Sequence, residues 1–214
     1  MALDPVVIVL LLFVCMSVLL FFLVYPTTGG GSKDTPRSLV IVFGSGGHTK
    51  EMLSLLHALP PPLFTPRSYV CASTDSTSIP SAVASGELRR LEEHRIHRIP
   101  RAREVGQSYL TAVRGTLLGF AHALRVVHRE QPSIVLVNGP GTCMPVCAAA
   151  VVLRAMGLVP GSLRVVFVES ACRVTTLSLS GRMAYSLGLA DVVAVQWPQL
   201  QALYPRTKYV GLQC

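Results

Sequence analysis

The chain has 214 residues, half of them apolar and 14% charged, and a formal net charge of +8. This length accommodates one domain, or one domain with an appendage. Its six cysteines form no CxxC pair, and Cys143 and Cys147 lack the neighbouring Cys or His residues of a zinc site. We therefore expect reduced thiols, no metal and no cofactor.

The most apolar segment lies near the N-terminus, where residues 6–24 form 19 consecutive positions without a charge. A helix of this length rises roughly 28 Å, close to the thickness of the hydrocarbon core of a bilayer. The alternatives are a cleaved signal peptide and a buried core helix. However, the leader carries Asp4 instead of a positive charge, no small-residue cleavage site follows, and the segment is apolar on all sides. These features predict a single transmembrane anchor.

The charges beside this segment predict its orientation. Lys33 and Arg37 follow it, whereas residues 1–5 carry no positive side chain, and positive residues flank the cytosolic end of a span. We therefore expect residues 1–5 on the far side of the membrane and the body of the protein in the cytosol. Residues 25–37, which include TTGGGS, are typical of a flexible linker, and residues 38–214 are expected to form the soluble domain.

Beyond the linker, short runs rich in β-branched residues alternate with helical stretches. Continuous apolar runs are typical of parallel strands that are covered on both faces. The five strands predicted in this way are Leu39–Phe43, Ser68–Ala72, Ile134–Val137, Val165–Val168 and Val192–Val195.

Three longer segments have the apolar spacing of helices, namely Thr49–Leu59, Val105–Arg129 and Met144–Met156. In the second of these, the residues predicted to share one apolar face are Leu110, Val113, Leu117, Ala121 and Leu124. The alternation of strands and helices predicts an α/β fold with a Rossmann-like, doubly wound parallel sheet. Ligands bind beyond the carboxyl ends of the strands in such sheets, so we expect a site in the loops that follow the strands.

The first predicted strand leads into the sequence GSGGHT at residues 44–49, where a helix is predicted to begin. Exposed backbone N–H groups and the positive end of a helix dipole suit a phosphate or diphosphate, with a simple tight turn as the alternative. His48 replaces the lysine of a P-loop, and Thr49 replaces the third glycine of a dinucleotide-binding loop. His48 is predicted to act as a base toward a hydroxyl, to pair with a phosphate, or to have a structural role.

Two further loops carry polar side chains at strand ends. The sequence NGPGT at residues 138–142 follows the third predicted strand, and Thr142 is placed to cap the next helix. Glu169 follows the fourth predicted strand, four residues before Arg173. A carboxylate in such a loop indicates a functional role, with a Glu169–Arg173 ion pair as the alternative. All three loops are expected to meet at one edge of the sheet.

Positive charge is concentrated in residues 89–103, which contain six arginines and two histidines against two glutamates. A solvated basic face is the usual explanation for such a segment. Beside a membrane anchor, it would also hold anionic headgroups or a lipid-linked diphosphate, at about 1 kcal/mol for each contact. Nucleic acid is not expected as a partner, because the interleaved aromatic residues of a stacking platform are missing.

Five motifs carry a family resemblance when they are taken together: GSGGHT at 44–49, HRIPRAREV at 97–105, NGPGTC at 138–143, VESACRVTTLSLSG at 168–181 and VQWPQLQALYP at 195–205. In content, order and spacing they resemble the membrane-anchoring subunit of the two-subunit UDP-N-acetylglucosamine transferase of dolichol-linked oligosaccharide synthesis. The resemblance extends from about residue 38 to the C-terminus.

The resemblance implies the acceptor-side, N-terminal half of a GT-B glycosyltransferase, without activity of its own. A separate soluble catalytic subunit would supply the half that binds UDP-GlcNAc. Together they would add the second GlcNAc to dolichyl-diphosphate-GlcNAc at the cytosolic face of the endoplasmic reticulum, with the N-terminus of this chain in the lumen. A similar bacterial enzyme, the membrane-surface GlcNAc transferase of peptidoglycan synthesis, carries both halves on one chain.

The resemblance also suggests roles for the loop residues. His48 or Glu169 would deprotonate or orient the attacking hydroxyl. The residues expected at the acceptor diphosphate are Gly44, Ser45, Gly46, Gly47, Thr49, Asn138, Gly139, Gly141, Thr142 and Arg173. Two rival hypotheses stay open, namely a self-sufficient membrane-bound enzyme acting on a lipid-linked phosphate and a non-enzymatic membrane tether.

Overall fold

The computed structural model describes residues 36–88, 95–101, 109–139 and 142–212. Seven strands in this part of the chain are β1 (Leu39–Val42), β2 (Arg67–Ala72), β3 (Arg95–Ile99), β4 (Ile134–Asn138), β5 (Arg164–Val168), β6 (Val192–Val195) and β7 (Lys208–Tyr209). They form one sheet in the order β3-β2-β1-β4-β5-β6-β7. Every neighbouring pair is parallel, so all the carboxyl ends lie at the same edge.

Helices connect these strands and cover both faces of the sheet. Within the described residues they are α1 (Gly47–Ala58), α2 (Ser78–Ala84), α3 (Tyr109–Glu130), α4 (Cys143–Ala155), α5 (Leu179–Ser186) and α6 (Pro198–Leu203), with a short 3₁₀ turn at Pro61–Leu63.

Successive strand residues alternate between two buried faces. Val40 and Val42 of β1 belong to the apolar cluster that includes residues of α3, α4 and α5, whereas Leu39 and Ile41 belong to the cluster with α1 and α2. Burying each such side chain contributes about 1.5–3 kcal/mol. Because both faces are covered, the strand has no polar positions, which explains its continuous apolar run in the sequence.

The predicted α/β, doubly wound parallel sheet is confirmed, and each of the five predicted strands is present with ends within one residue of those expected. β3 is missing from the prediction because charge dominates its sequence, RIHRI. It lies at the edge of the sheet and pairs only with β2 among the described strands. Ile99 is buried in the core, and Nε2 of His97 lies 3.2 Å from Oε1 of Glu130.

The predicted apolar face of α3 is wrong at Leu117 and Ala121, whereas Leu124 packs against the core as expected. Leu117 is 63% exposed and Ala121 is also exposed, whereas Ala123 and Val127 are buried. The helix approaches its neighbours through small residues, since a Cβ atom on Gly119 would lie 3.1 Å from the carbonyl oxygen of Pro100. Small side chains allow close packing, and Leu117 and Leu118 are left on the outer side.

Several predictions concern residues outside the described ranges. They are the transmembrane span at 6–24, residues 25–35 of the linker, Gly141, and residues 89–94 and 102–103 of the basic segment. Within the described residues, no helix is both long enough and apolar enough to cross a membrane.

The sheet order defines the place of the site. From β1 the chain continues to β2 and β3 on one side, then returns to add β4 and the later strands on the other side. The loops after β1 and β4 therefore diverge and leave a crevice between them at the carboxyl edge. Such switch points are where doubly wound sheets bind ligands.

Candidate active site

The loops after β1, β4 and β5 meet at this crevice and border a cavity of about 410 Å³. A cavity of this size accommodates a small organic ligand or part of a larger one. The residues that line it are Gly47, His48, Glu51, Gly139, Glu169, Ser170, Cys172, Arg173 and Ser178. The structure thus brings both candidate bases and part of the predicted diphosphate site together.

His48 lies in the first turn of α1, and two glycines make room for its imidazole. A Cβ atom on Gly44 would lie 2.8 Å from Cβ of His48, and one on Gly139 would lie 3.0 Å from its Cγ. Gly139 also has a φ of +109°, which disfavours any side chain at this position. The two glycines accommodate the ring, whereas their contact with a diphosphate stays a prediction.

His48, Asn138 and Glu51 form a hydrogen-bonded chain across the switch point. Nδ1 of His48 lies 2.9 Å from Oδ1 of Asn138, and Nδ2 of Asn138 donates to Oε2 of Glu51 at 3.1 Å. The other Glu51 oxygen accepts from Oγ of Ser170 at 2.7 Å and from the N–H of Ala171 at 3.2 Å. Asn138 is completely buried, whereas the His48 side chain is 31% exposed at the cavity.

Glu169, the second candidate base, is buried and hydrogen-bonded to its own loop. Oε1 accepts from the N–H of Ser170 at 3.1 Å. Oε2 accepts from the N–H and the Oγ of Ser178, at 2.8 and 3.0 Å. A Cβ atom on Gly181 would overlap Oε2, so this carboxylate also requires glycine in the first turn of α5. Glu169 therefore ties loop 170–178 to the start of α5.

Three features beside the cavity suit an anion. Helix α1 begins after Gly46, which has a φ of +67° and offers no side-chain cap, so its first N–H groups have no side-chain acceptor. Nη2 of Arg101 donates to Oγ of Ser45 at 2.9 Å, which holds a guanidinium beside this turn. Arg173 is exposed at the cavity.

The predicted alternative of a Glu169–Arg173 ion pair is wrong. Among the described residues Arg173 has no carboxylate partner, because the Glu169 oxygens are turned toward Ser170 and Ser178. The guanidinium therefore carries a positive charge at the cavity wall that no described carboxylate neutralises. A cation in this position favours the binding of an anionic ligand.

Both predicted threonines are buried. Thr49 donates from Oγ1 to the carbonyl of Gly44 and lies 2.6 Å from Oγ of Ser78, so its hydroxyl braces the glycine loop. Thr142 is the N-cap residue of α4, but the predicted cap hydrogen bond is absent. The third residue of α4 is Pro145, which has no N–H to donate to a cap.

The described cysteines are free thiols, of which Cys172 is exposed at the cavity and Cys71, Cys143 and Cys147 are buried. Burial raises the pKa of Cys143 to about 12, against a smaller opposite effect of a hydrogen bond to Asn138, so this thiol stays protonated. In the part of the chain that the structure describes, no group of three His, Cys, Asp or Glu side chains is placed to hold a metal ion.

The sequence prediction missed Glu51, Ser178 and the contact of Arg101 with the glycine loop. A signal for Glu51 was available, because a residue three positions after His48 in a helix lies on the same face. Ser178 stands at the N-cap of α5, where serine is favoured. The contact of Arg101 has no local signal, since it joins residues 56 positions apart.

The sequence matches a family model described as oligosaccharide biosynthesis protein Alg14 like over residues 39–213. A protein from Rattus norvegicus, named UDP-N-acetylglucosamine transferase subunit ALG14, is 44% identical over 188 residues, which cover 83% of this chain and 84% of the rat protein. A protein of the same name from Yarrowia lipolytica is 40% identical over 182 residues, which cover 84% of this chain and 82% of the yeast protein.

Among solved structures, MurG from Acinetobacter baumannii shares the fold with a TM-score of 0.55 and 18% identity. The match covers 82% of this chain but only 44% of the MurG chain. A UDP-N-acetylglucosamine 2-epimerase also matches, with a TM-score of 0.55, 17% identity and coverage of 77% and 43% of the two chains. At these identities the likeness concerns the fold alone, and in both cases it covers less than half of the solved chain.

Proposed function

The chain belongs to the Alg14-like family of oligosaccharide biosynthesis proteins, and from this membership we propose that it is a subunit of a UDP-N-acetylglucosamine transferase. Relatives that carry this name align with more than four fifths of the chain and of their own length.

The observation that carries the proposal is that the described residues form one Rossmann-like sheet with an open cavity at its carboxyl edge. The sheet corresponds to less than half of MurG, whose structure is more than twice as long as the aligned part. A GT-B active site lies between two such domains. We therefore assign the donor UDP-GlcNAc to a soluble catalytic partner subunit, which would close over the cavity from the other side.

The cavity is proposed to bind the acceptor, dolichyl-diphosphate-GlcNAc. The first turn of α1 and the guanidinium of Arg173 supply the positive potential for its diphosphate, and Arg101 adds charge beside Ser45. The acceptor sugar would then lie against His48. In this arrangement the lipid tail extends away from the cavity toward the membrane.

His48 is proposed as the base. Its Nδ1 faces Asn138, which leaves Nε2 to accept the proton of the attacking acceptor hydroxyl. The hydroxyl oxygen forms a bond to the anomeric carbon of the donor sugar, and the bond between that carbon and UDP breaks, so that UDP leaves with the electron pair. Glu169 is a weaker candidate, because three hydrogen bonds already occupy its carboxylate.

The membrane location is part of the proposal. The apolar segment 6–24 would cross the endoplasmic reticulum membrane once, with the N-terminus in the lumen and the sheet in the cytosol. The anchor would hold the cavity near the lipid-linked acceptor and recruit the soluble partner to the membrane surface.

The test is to purify the full chain in detergent with and without its soluble partner. Transfer of GlcNAc from UDP-GlcNAc to a short-chain lipid diphosphate-GlcNAc is then measured. We expect activity only from the pair, with strong loss when His48→Ala is introduced. Full activity of the chain alone would favour the self-sufficient enzyme instead. Unchanged activity of a pair carrying both His48→Ala and Arg173→Ala would leave only a membrane tether.

A further inference from the structure

Glu51 stands at the centre of the site without a role in the proposed reaction. Its side chain is 12% exposed, and both oxygens are engaged. Oε1 accepts from the loop after β5, through Ser170 and Ala171, and Oε2 accepts from Asn138 at the end of β4. One carboxylate on α1 therefore links all three loops of the cavity.

The direction of these hydrogen bonds fixes the Asn138 amide. An ionised carboxylate only accepts hydrogen bonds, so the atom of Asn138 that faces Glu51 must be the NH₂ group. The amide oxygen then faces Nδ1 of His48, at 2.9 Å. Because an amide oxygen also only accepts, the proton of the neutral imidazole must be on Nδ1. Its lone pair is then on Nε2.

Nε2 of His48 has no hydrogen-bond partner among the described residues, and the ring lines the cavity. It is the atom on which the proposed function relies. The opposite tautomer would place a hydrogen on Nε2 and remove its capacity to accept a proton. Oε2 of Glu51 also lies 3.4 Å from Nδ1 of His48, so the carboxylate favours a proton on Nδ1 both directly and through the Asn138 amide.

We propose that Glu51 is a positioning residue that orients the buried Asn138 amide and thereby holds His48 in the Nδ1–H tautomer. The inference rests on the proposed role of His48 as the base and extends it to two further residues. In Glu51→Gln, the N–H of Ala171 holds the one remaining carbonyl oxygen on its side, so the glutamine amide no longer offers an acceptor to the NH₂ group of Asn138. A reversed amide would direct this NH₂ group at Nδ1 and select the Nε2–H tautomer. Asn138, predicted to contact the diphosphate, acquires a role in orienting the base.

The tautomer can be read directly from the full chain in detergent, labelled with ¹⁵N-histidine. Spectra taken at about pH 8, where an unperturbed imidazole is neutral, distinguish a protonated ring nitrogen from an unprotonated one. The signal of His48 is assigned by its loss in His48→Gln. We expect an unprotonated Nε2 in the wild-type chain and a protonated Nε2 in Glu51→Gln. A protonated Nε2 in the wild-type chain would overturn the proposal without any variant.

Kinetics of the reconstituted pair give the second readout. We expect Glu51→Gln to lower kcat by roughly 10²-fold or more, as wrong-tautomer variants of His-dependent enzymes do, with KM for the acceptor changed less than about threefold. Glu51→Asp keeps the charge and should recover part of kcat. A loss of kcat in Glu51→Gln with an unchanged tautomer would overturn the positioning role.

Asp191→Asn is the matched control, because Asp191 is also a partly exposed carboxylate that accepts from a backbone N–H and a second side chain, but far from the cavity. We expect it to leave the tautomer and kcat unchanged. The role of His48 as the base and the positioning role of Glu51 can be refuted separately. Retained kcat in His48→Ala refutes the proposed base, whereas retained kcat in Glu51→Gln alone refutes only the positioning role.

Discussion

The loop after β1 and the loop after β5 each place one candidate base at the cavity, His48 in the first and Glu169 in the second. His48 uses one ring nitrogen for a hydrogen bond within the protein and leaves the other without a described partner. Glu169 is 2% exposed and accepts three hydrogen bonds from its own loop. Equivalent positions at strand ends therefore differ, because the fold leaves one nitrogen of His48 available and uses both oxygens of Glu169 to hold a loop.

This difference shows that position at a strand end does not identify a catalytic group. The informative property is the number of hydrogen-bonding atoms that the fold leaves unused. Each carboxylate oxygen of Glu169 has a donor, so a substrate hydroxyl would have to compete with backbone and serine donors. The imidazole of His48 needs no rearrangement to accept a proton at Nε2. The following predictions test this contrast, beginning with the largest expected effect.

His48→Ala should lower kcat of the reconstituted pair by about 10²–10⁴-fold, the usual contribution of general base catalysis. The free energy of unfolding should fall by only about 1 kcal/mol, because the buried Oδ1 of Asn138 loses its partner while the ring itself is partly exposed. Steady-state kinetics and a denaturant titration of the same preparations measure both quantities. A variant that retains more than about one tenth of kcat would contradict the role of His48.

Glu169→Ala should act mainly on stability. Removing the carboxylate leaves the N–H groups of Ser170 and Ser178 without their acceptor, at about 1–3 kcal/mol for each buried group. We expect the free energy of unfolding to fall by about 3 kcal/mol, and Glu169→Gln, which keeps one acceptor oxygen, to lose less. Chemical denaturation measures the loss. If stability were unchanged while kcat fell as in His48→Ala, the contrast between the two loops would be wrong.

Arg173→Ala should weaken acceptor binding while leaving the chemistry intact. A hydrogen bond to a charged group contributes about 1.5–3 kcal/mol, and the exposure of this side chain places it at the low end, so KM for the acceptor should rise about tenfold. The change in kcat should be small. Arg182→Ala, an exposed arginine on α5 away from the cavity lining, is the control and should leave KM unchanged. Equal effects of both variants would point to a general loss of charge.

Asp75→Asn should produce the smallest effect, because Asp75 stabilises the glycine loop at residues 44–49 only through other side chains. Asp75 accepts from Thr77 and Ser78, and Ser78 in turn contacts Thr49. Burial alone would raise the pKa of Asp75, but the hydrogen bonds from Ser78 and Thr77 outweigh it and lower the pKa below its usual value. We expect a loss of about 1 kcal/mol in the free energy of unfolding at neutral pH.

The pH dependence of this loss follows from the direction of the pKa shift. A carboxyl group whose pKa is lower in the folded state stabilises the protein above the unfolded-state pKa of about 3.9. That stabilisation disappears as the pH falls through the folded-state pKa. The wild-type chain and Asp75→Asn should therefore approach equal stability below about pH 4. A difference that is constant across the titration would show that the charge of Asp75 is not involved.

Much of the fold could be predicted because parallel strands that are buried on both faces appear in the sequence as continuous apolar runs. The apolar run at Leu39–Val42 and its counterparts in β2, β4, β5 and β6 contain no polar interruption, so each is recognisable by itself. β3 was missed because an edge strand has one open side and tolerates charge. β7 has only two residues, Lys208 and Tyr209, which is too short for any periodicity.

The loops that form the site could be predicted from the sequence, but the hydrogen bonds within the site could not. Strand ends and glycines indicated His48 and Glu169, but their roles depend on hydrogen bonds between residues distant in the sequence. His48 and Asn138 are 90 positions apart, and Glu51 and Ser170 are 119 positions apart. No local sequence pattern shows which carboxylate oxygens accept hydrogen bonds from such distant residues.

The prediction that Thr142 caps the next helix was wrong, although the sequence already contained the reason, since Pro145 has no N–H to donate to the cap.

Chemical rescue of the reconstituted pair tests the central claim most directly. Imidazole added to His48→Ala should enter the space left by the ring and raise kcat in a saturable manner, because it restores a neutral base in the cavity. Imidazole should have no effect on Glu169→Ala, whose defect is in the loop rather than in proton transfer. The predicted result is that imidazole rescues His48→Ala and does not rescue Glu169→Ala. Rescue of Glu169→Ala, with none for His48→Ala, would contradict the account.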